Sequence, residues 1–220
     1  KMGLSLRNRL LILILVLIRF GPRMAGASSR IHRGYVGWAS KRLCGMVISA
    51  NGTKFRILGW EILLMGSDYY EKFVLPWFEP EKGQLVLDVG ANMGIYTVRA
   101  GQSVGPTGKV IAIEANPRTY SYLRENISLN GLSNIVPLNV AAWNANCVIK
   151  LYRGELGYFS AKKNFSLGFE LVPARRISDI LEELGVVRVD WAKIDAEGAE
   201  REVLEGMSEF LAESPRIIIE

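Results

Sequence analysis

Residues 86–101 read VLDVGANMGIYTVRAG. An apolar run closes on Asp88, the turn Gly90-Ala91-Asn92-Met93-Gly94 follows, and a helical pattern begins at Ile95. A buried strand passing through glycines into a helix is the first half of a βαβ unit. In sheets built of such units, ligands bind outside the carboxyl ends of the strands. This stretch therefore decides the fold and says where its site should lie.

Working outward, the same alternation continues. Leu85–Val89 reads as a strand and 95–104 as a helix, closed by Gly105-Pro106 and Gly108. Val110–Ile113 is the next strand. Pro117 opens a helix that runs to about Leu129 and stops at Asn130-Gly131, with Pro at the start and Gly at the end as helices prefer. Ile135–Val140 is a third strand. Residues 144–176 break the rhythm with two strands, 147–152 and 169–172, around a Gly- and Lys-containing loop. A short helix, 177–184, leads to a strand at 189–194, a helix at 199–211 and a last strand at 216–219. Strands alternating with helices imply right-handed crossovers and a parallel α/β sheet.

The 220 residues are enough for one well-cored α/β domain and an extra segment. The net charge of +5 is unevenly spread. Eleven of the 27 Lys and Arg stand in residues 1–60 and none of the 22 acidic residues does, which leaves the body with a surplus of six acids. That balance argues against nucleic-acid binding by the body and points the leader toward an anionic membrane surface. Residues 10–18, LLILILVLI, are apolar on every side. As a helix they span only ~14 Å, about half a bilayer core. Three readings stay open: an interfacial or signal-anchor segment, a signal peptide cut near Ala25-Gly26-Ala27, or a buried element. Met46–Ser49 and Phe55–Leu58 read as strands joined by Asn51-Gly52, a small β-hairpin ahead of the main domain. The domain reading is 1–60 for leader and hairpin and 61–220 for the α/β body, with the chain ending at the fifth main strand. The expected location is cytoplasmic, with residues 1–33 touching a membrane.

Cys44 and Cys147 lack metal-ligand spacing and read as a reduced interior pair. His32, the one histidine, reads as a surface residue, and no metal is expected. Tyr69-Tyr70-Glu71 is a candidate lid, but as aromatics at helical spacing with Phe73, Trp77 and Phe78 these residues read rather as core.

Carboxylates end nearly every main strand: Asp88, Glu114, Asp195 and Glu220. Glu114, after the second strand, suits a ribose, because one carboxylate can accept hydrogen bonds from both the 2′- and 3′-hydroxyls. NAD and S-adenosylmethionine both carry that sugar. The spacing Gly-Ala-Asn-Met-Gly is not G-x-G-x-x-G, so a pyrophosphate cradle is poorly matched. Asp88 beside the glycines also disfavours a pyrophosphate and favours a ligand bearing a sulfonium and an ammonium. Two alternatives stay open: a nicotinamide-type oxidoreductase and a membrane-tethered binding module without turnover.

The chain resembles the FkbM family of S-adenosylmethionine-dependent methyltransferases. The resemblance runs from about Asp68 to Glu220. It rests on the opening stretch and on GKVIAIEANP (108–117), NVAAWN (139–144), ARRISDILEELG (174–185) and VDWAKIDAEGAEREVLEG (189–206). It implies a Rossmann-like class I methyltransferase sheet in three α/β/α layers. It implies that Asp88, Gly90, Ala91, Asn92 and Gly94 form the loop on the methionine side of the cofactor, with Tyr96 and Thr97 lining the same pocket. It implies that Glu114 holds the ribose beside Ala115 and Asn116, and that Ala141 and Ala142 leave room for the adenine. Methyl transfer to an alcohol needs a general base. Asp195 and Glu197 are the candidates, with Lys193 on the same side of its strand and Glu200 one helical turn on. O-methylation of a glycan, lipid-linked sugar or small metabolite is the implied activity.

Overall fold

The computed structural model describes residues 44–50, 52–58, 75–154, 159–213 and 215–220. The apolar leader, Ala25–Ala27, His32 and Tyr69–Glu71 lie outside them. The chain divides into two compact parts between Phe73 and Val74.

In the first part, β1 (Val47–Ala50) and β2 (Thr53–Arg56) form an antiparallel pair. Ala50 pairs with Thr53, so only two positions are left for the turn. Gly52 takes φ +83°, the left-handed conformation such a short hairpin demands. Ile48, Phe55 and Ile57 are buried.

In the second part, a parallel sheet contains β3 (Leu85–Val89), β4 (Lys109–Ile113), β5 (Ile135–Leu138), β10 (Trp191–Ile194) and β11 (Arg216–Ile219). Its spatial order is β11-β10-β3-β4-β5. The helices are α1 (Ile95–Val104), α2 (Pro117–Leu129), α3 (Ile177–Glu183), α4 (Glu200–Gly206) and α5 (Ser208–Leu211).

The period of two along each strand sorts the core into two faces. Leu87, Val89, Ile111, Ile113, Ala192 and Ile194 pack with Ile177, Leu181, Val203 and Met207 from α3, α4 and the residue after it. Val86, Val110, Ala112 and Trp191 pack with Tyr96, Ala100, Leu123 and Ile127 from α1 and α2. The result is the three-layer α/β/α arrangement that the sequence implies. Both sheet faces are covered, which is why these strands are apolar runs rather than alternating ones.

A second sheet is built by residues 141–176. β6 (Ala141–Trp143), β7 (Cys147–Arg153), β8 (Phe159–Ser160) and β9 (Phe169–Arg176) lie in the order β6-β9-β7-β8. The strands expected at 147–152 and 169–172 are both present, and the second is longer. It continues to Arg176 because Ala174–Arg176 pair with β6 on the other side.

Several expectations need correction. Strand β5 stops at Leu138, because Asn139 turns its amide onto the carbonyls of Glu114 (2.8 Å) and Ala115 (3.2 Å). The helix read at 199–211 is two helices. A Cβ on Gly206 would stand 1.9 Å from the Trp143 carbonyl oxygen, and Ser178 Oγ takes the Gly206 carbonyl at 3.0 Å. Those tertiary contacts remove the helical path at Met207, whose φ is −118°. Trp77 is 75% exposed, at the end of a single 3₁₀ turn, while its neighbour Phe78 is core. Trp143 is half-buried, with Lys162 Nζ 5.1 Å from its ring centroid. Cys147 is exposed on β7 rather than interior.

Candidate functional site

The strand order reverses between β10 and β3. β4 and β5 follow β3 on one side, whereas β10 and β11 lie on the other. At such a switch point the loops after two adjacent strands part and leave a crevice. The register shows what lines it. Lys193, Asp88 and Ala112 form one row across β10, β3 and β4. Two residues further on, at the same parity, come Asp195, Gly90 and Glu114. The acids at the strand ends therefore belong to the α1 and α2 face of the sheet.

Asp88 is fully buried at the next-to-last position of β3. Its Oδ2 accepts the Thr97 hydroxyl at 2.5 Å, and its Oδ1 is buried without a hydrogen-bond partner. Burial pushes the Asp88 carboxyl above the ordinary range; Lys193 and Thr97 pull it down, and Asp195 pushes it up. A buried carboxylate oxygen with no donor is costly unless a ligand supplies one.

Glu114 follows β4. Its Oε2 accepts the Asn92 backbone N–H at 2.9 Å and its Oε1 that of Asn116 at 2.8 Å. Each oxygen keeps a second lone pair, so the carboxylate is fixed in place and can still accept from two neighbouring hydroxyls. Glu114 is half-buried, with an opening to solvent. The surrounding chain pushes its carboxyl up to about 7, opposed by the two N–H groups; Asp88 adds to the rise and Lys193 counters it.

The turn residues divide into those that face outward and those that support. Asn92 is exposed, at φ +52°, and Ala91 is buried. The N–H groups of Gly90 and Ala91 both donate to the Ile113 carbonyl, at 2.9 and 3.0 Å. Gly90, at φ +72°, has no room for a side chain: an added Cβ would stand 1.9 Å from the Asp195 carbonyl oxygen. Gly94, at φ +94°, leaves space for Leu123 of α2, whose Cδ1 would be 2.7 Å from a Cβ. Thr97 is buried and its hydroxyl is engaged by Asp88, so it orients the carboxylate. Tyr96 is buried with its hydroxyl unpartnered. Asn116 caps α2, its Oδ1 accepting Thr119 N at 3.0 Å. Ala115 packs on the small sheet, with Ala141; Ala142 lies in the main core.

At the end of β10, Asp195 donates its backbone N–H to the Val89 carbonyl at 3.0 Å, which locks the two loops together. Its Oδ2 lies 3.2 Å from Lys193 Nζ, and its side chain is 31% exposed. Glu197 adopts φ +51°, and its carbonyl accepts Ser160 Oγ at 2.7 Å. Glu200 is held within the turn, accepting the N–H groups of Ala196 (3.1 Å) and Gly198 (3.0 Å) through one oxygen. It braces the turn that leads into α4. Ser160 and Asn139 went unnoticed in the sequence. Neither has a local signal, because each acts through a segment distant in the chain. Among the described residues, no group of three or more His, Cys, Asp or Glu is gathered as a metal site.

The crevice fits the cofactor read from the sequence. An unpartnered carboxylate oxygen stands ready for an ammonium and a fixed carboxylate for a diol. The fold is the Rossmann-like, three-layer arrangement of class I methyltransferases. A family model described as the methyltransferase FkbM domain matches residues 88–220, and the chain belongs to that family.

The chain is similar to methyltransferase sdnD of Sordaria araneosa, with 31% identity covering 56% of this chain and 60% of that protein. It is also similar to the hexuronic acid methyltransferase AglP of Haloferax volcanii, with 26% identity covering 64% and 57%. The chain thus spans about three fifths of the length of either relative. Among solved structures, it matches Aeropyrum pernix fibrillarin in complex with S-adenosyl-L-methionine, with 17% identity, TM-score 0.45 and coverage of 80% and 60%.

Proposed function

We propose that this protein transfers a methyl group from S-adenosylmethionine to a hydroxyl of a sugar, a lipid-linked glycan or a small polar metabolite. The observation that carries the reading is the fixed Glu114 carboxylate, held by two backbone N–H groups beside the unpartnered Oδ1 of Asp88. The likeness to a hexuronic acid methyltransferase supports a sugar-like acceptor.

Asp88 receives the donor's ammonium and Glu114 its ribose hydroxyls. Asn92, Ala115 and Asn116 line the same loops, and Ala141 and Ala142 stand past β5 on the adenine side. When bound, S-adenosylmethionine supplies a methyl group made electrophilic by its sulfonium. The protein's work is then to hold the acceptor in line and receive its proton as the new O–C bond forms. Asp195 is the residue for that proton, being a carboxylate at the reversal point with part of its surface open. Glu197 stands in the next turn as the second carboxylate. Peripheral membrane contact through residues 1–33 remains part of the proposal, resting on the Arg-flanked apolar run. Among the described residues, no helix is long and apolar enough to cross a membrane.

The test is to incubate the full chain with S-adenosylmethionine labelled in its methyl group and with fractionated glycans, lipid-linked sugars and polar metabolites. Label retained in a sugar-bearing fraction after alkaline treatment means a methyl ether and supports the reading. Label released by alkali means a carboxyl ester and overturns the hydroxyl assignment.

A further inference from the structure

Lys193 is out of place by every rule of strand composition. It sits in the second position from the end of β10, between Ala192 and Ile194, and is 3% exposed. A lysine is almost never so buried unless it is paired. Its pairing is specific. The ammonium lies 3.2 Å from Asp195 Oδ2 and 5.0 Å from the centroid of the Tyr96 ring, a cation–π distance. Across the sheet it stands in register with Asp88.

The acids around it explain the need. Asp88 is held from α1 by Thr97 and faces Lys193 and Asp195 from β10; Glu114 closes the β4 side, and Glu220 lies beyond β11. Among the described residues, four carboxylates converge on one strand-end rim with one buried cation. Like charges so close favour protonation of one of them. A protonated Asp88 could no longer receive an ammonium as a charged acceptor.

We propose that Lys193 is a positioning residue of the cofactor site, its buried ammonium acting as the internal counter-ion that keeps Asp88 ionised beside Asp195. The inference rests on the methyltransferase reading and adds to it the residue that sets the charge of the donor subsite. Burial already raises the Asp88 carboxyl, and Lys193 is the largest influence lowering it. Removing the ammonium raises that carboxyl further. Affinity for the donor's ammonium then falls as pH falls through the new value, and returns as pH rises.

The test uses the full chain and S-adenosylhomocysteine, the stable product, titrated calorimetrically from pH 6 to pH 9. Lys193→Met is expected to bind about tenfold more weakly per pH unit below the shifted value, recovering toward pH 9. Lys193→Arg, which keeps the charge, is expected to restore a flatter profile. The double variant Asp88→Asn/Lys193→Met removes an acid with its cation and so also guards against misfolding of the single variant. In the Asp88→Asn background, loss of Lys193 is expected to cost less than about twofold, since the carboxylate it serves is gone. Full additivity of the two substitutions, or a Lys193→Met profile superimposable on the parent's, overturns the proposal. A parent that binds no product removes the methyltransferase reading itself, an outcome distinct from a parent that binds and a Lys193 variant that does not differ.

Discussion

The two halves of the crevice are built differently. On the β3–β4 side, the carboxylates are held by their own neighbourhood. Asp88 is bound by Thr97, nine residues along, and Glu114 by Asn116, two residues along, and by Asn92 of the adjacent turn. On the β10 side, the corresponding turn is held from afar. Gly90 packs on the Asp195 carbonyl, Ser160 reaches from the small sheet to Glu197, and Lys162 of the same segment pairs with Glu202. The proposed donor half takes its side-chain hydrogen bonds from short range, whereas the proposed acceptor half adds long-range braces to the local bonds of Lys193 and Glu200. A short loop can change little without losing the cofactor, whereas a turn braced by a separate sheet can be reshaped through the brace.

Substitutions can break this contrast, and the largest effect is expected at the acceptor side. Asp195→Asn should lower turnover by roughly 100- to 10 000-fold, the range for loss of a general base, with product affinity changed far less. Single-turnover kinetics beside calorimetry separate the two; equal losses in both would move Asp195 into the donor site. Next comes the seam between the halves. Gly90→Ala forces a Cβ against a backbone oxygen at a left-handed φ, and about 3 kcal/mol or more of stability should be lost in urea unfolding. Gly131→Ala is the control: it shares a positive φ, +64°, but has nothing within 4 Å, so only about 1 kcal/mol is expected.

On the donor side, Asp88→Asn should weaken product binding by roughly ten- to a hundredfold, as loss of one charge-assisted hydrogen bond implies. Glu114 adds a pH dependence with opposite signs for stability and binding. Its carboxyl is raised to about 7 in the folded chain, above its ordinary value of 4.5, so the folded state holds the extra proton between them. Stability should therefore fall as pH rises through that window. The ionised form is the one that accepts two hydroxyls, so product affinity should rise from pH 6 to pH 8, and Glu114→Gln should flatten that rise. A smaller effect belongs to the brace. Ser160→Ala removes the hydrogen bond to the Glu197 carbonyl and the acceptor of the Lys162 and Lys163 N–H groups, and is expected to cost about 1 to 2 kcal/mol. A change in acceptor turnover with unchanged product affinity would sharpen the distinction between the halves.

The half proposed for the donor could be brought together from the chain alone, for the reason that makes it robust. Asp88, the glycine turn and Glu114 lie within two successive strand-to-helix units, so residue spacing alone brings them together. Helices 95–104 and 117–129 were readable, because a Gly or Pro stands at or near their ends. The glycines were readable as necessary but not for their cause, since the atom that Gly90 must avoid belongs to Asp195, more than a hundred residues away. Strand β6 was hidden because three residues have too little pattern, and only pairing with β9 makes them a strand. The break after Gly206 and the exposure of Trp77 were hidden likewise.

By itself, the sequence determined the parallel α/β sheet, the rim of acids at its carboxyl edge and the family, because hydrophobic period and turn chemistry are local properties of a chain. Tertiary structure alone decided that Lys193 is buried among those acids, that Glu200 folds back onto the turn before its helix, and that a second sheet holds the turn at Glu197. Those facts depend on which distant atoms come within about 3 Å, and that is fixed by strand order and register, not by spacing along the chain.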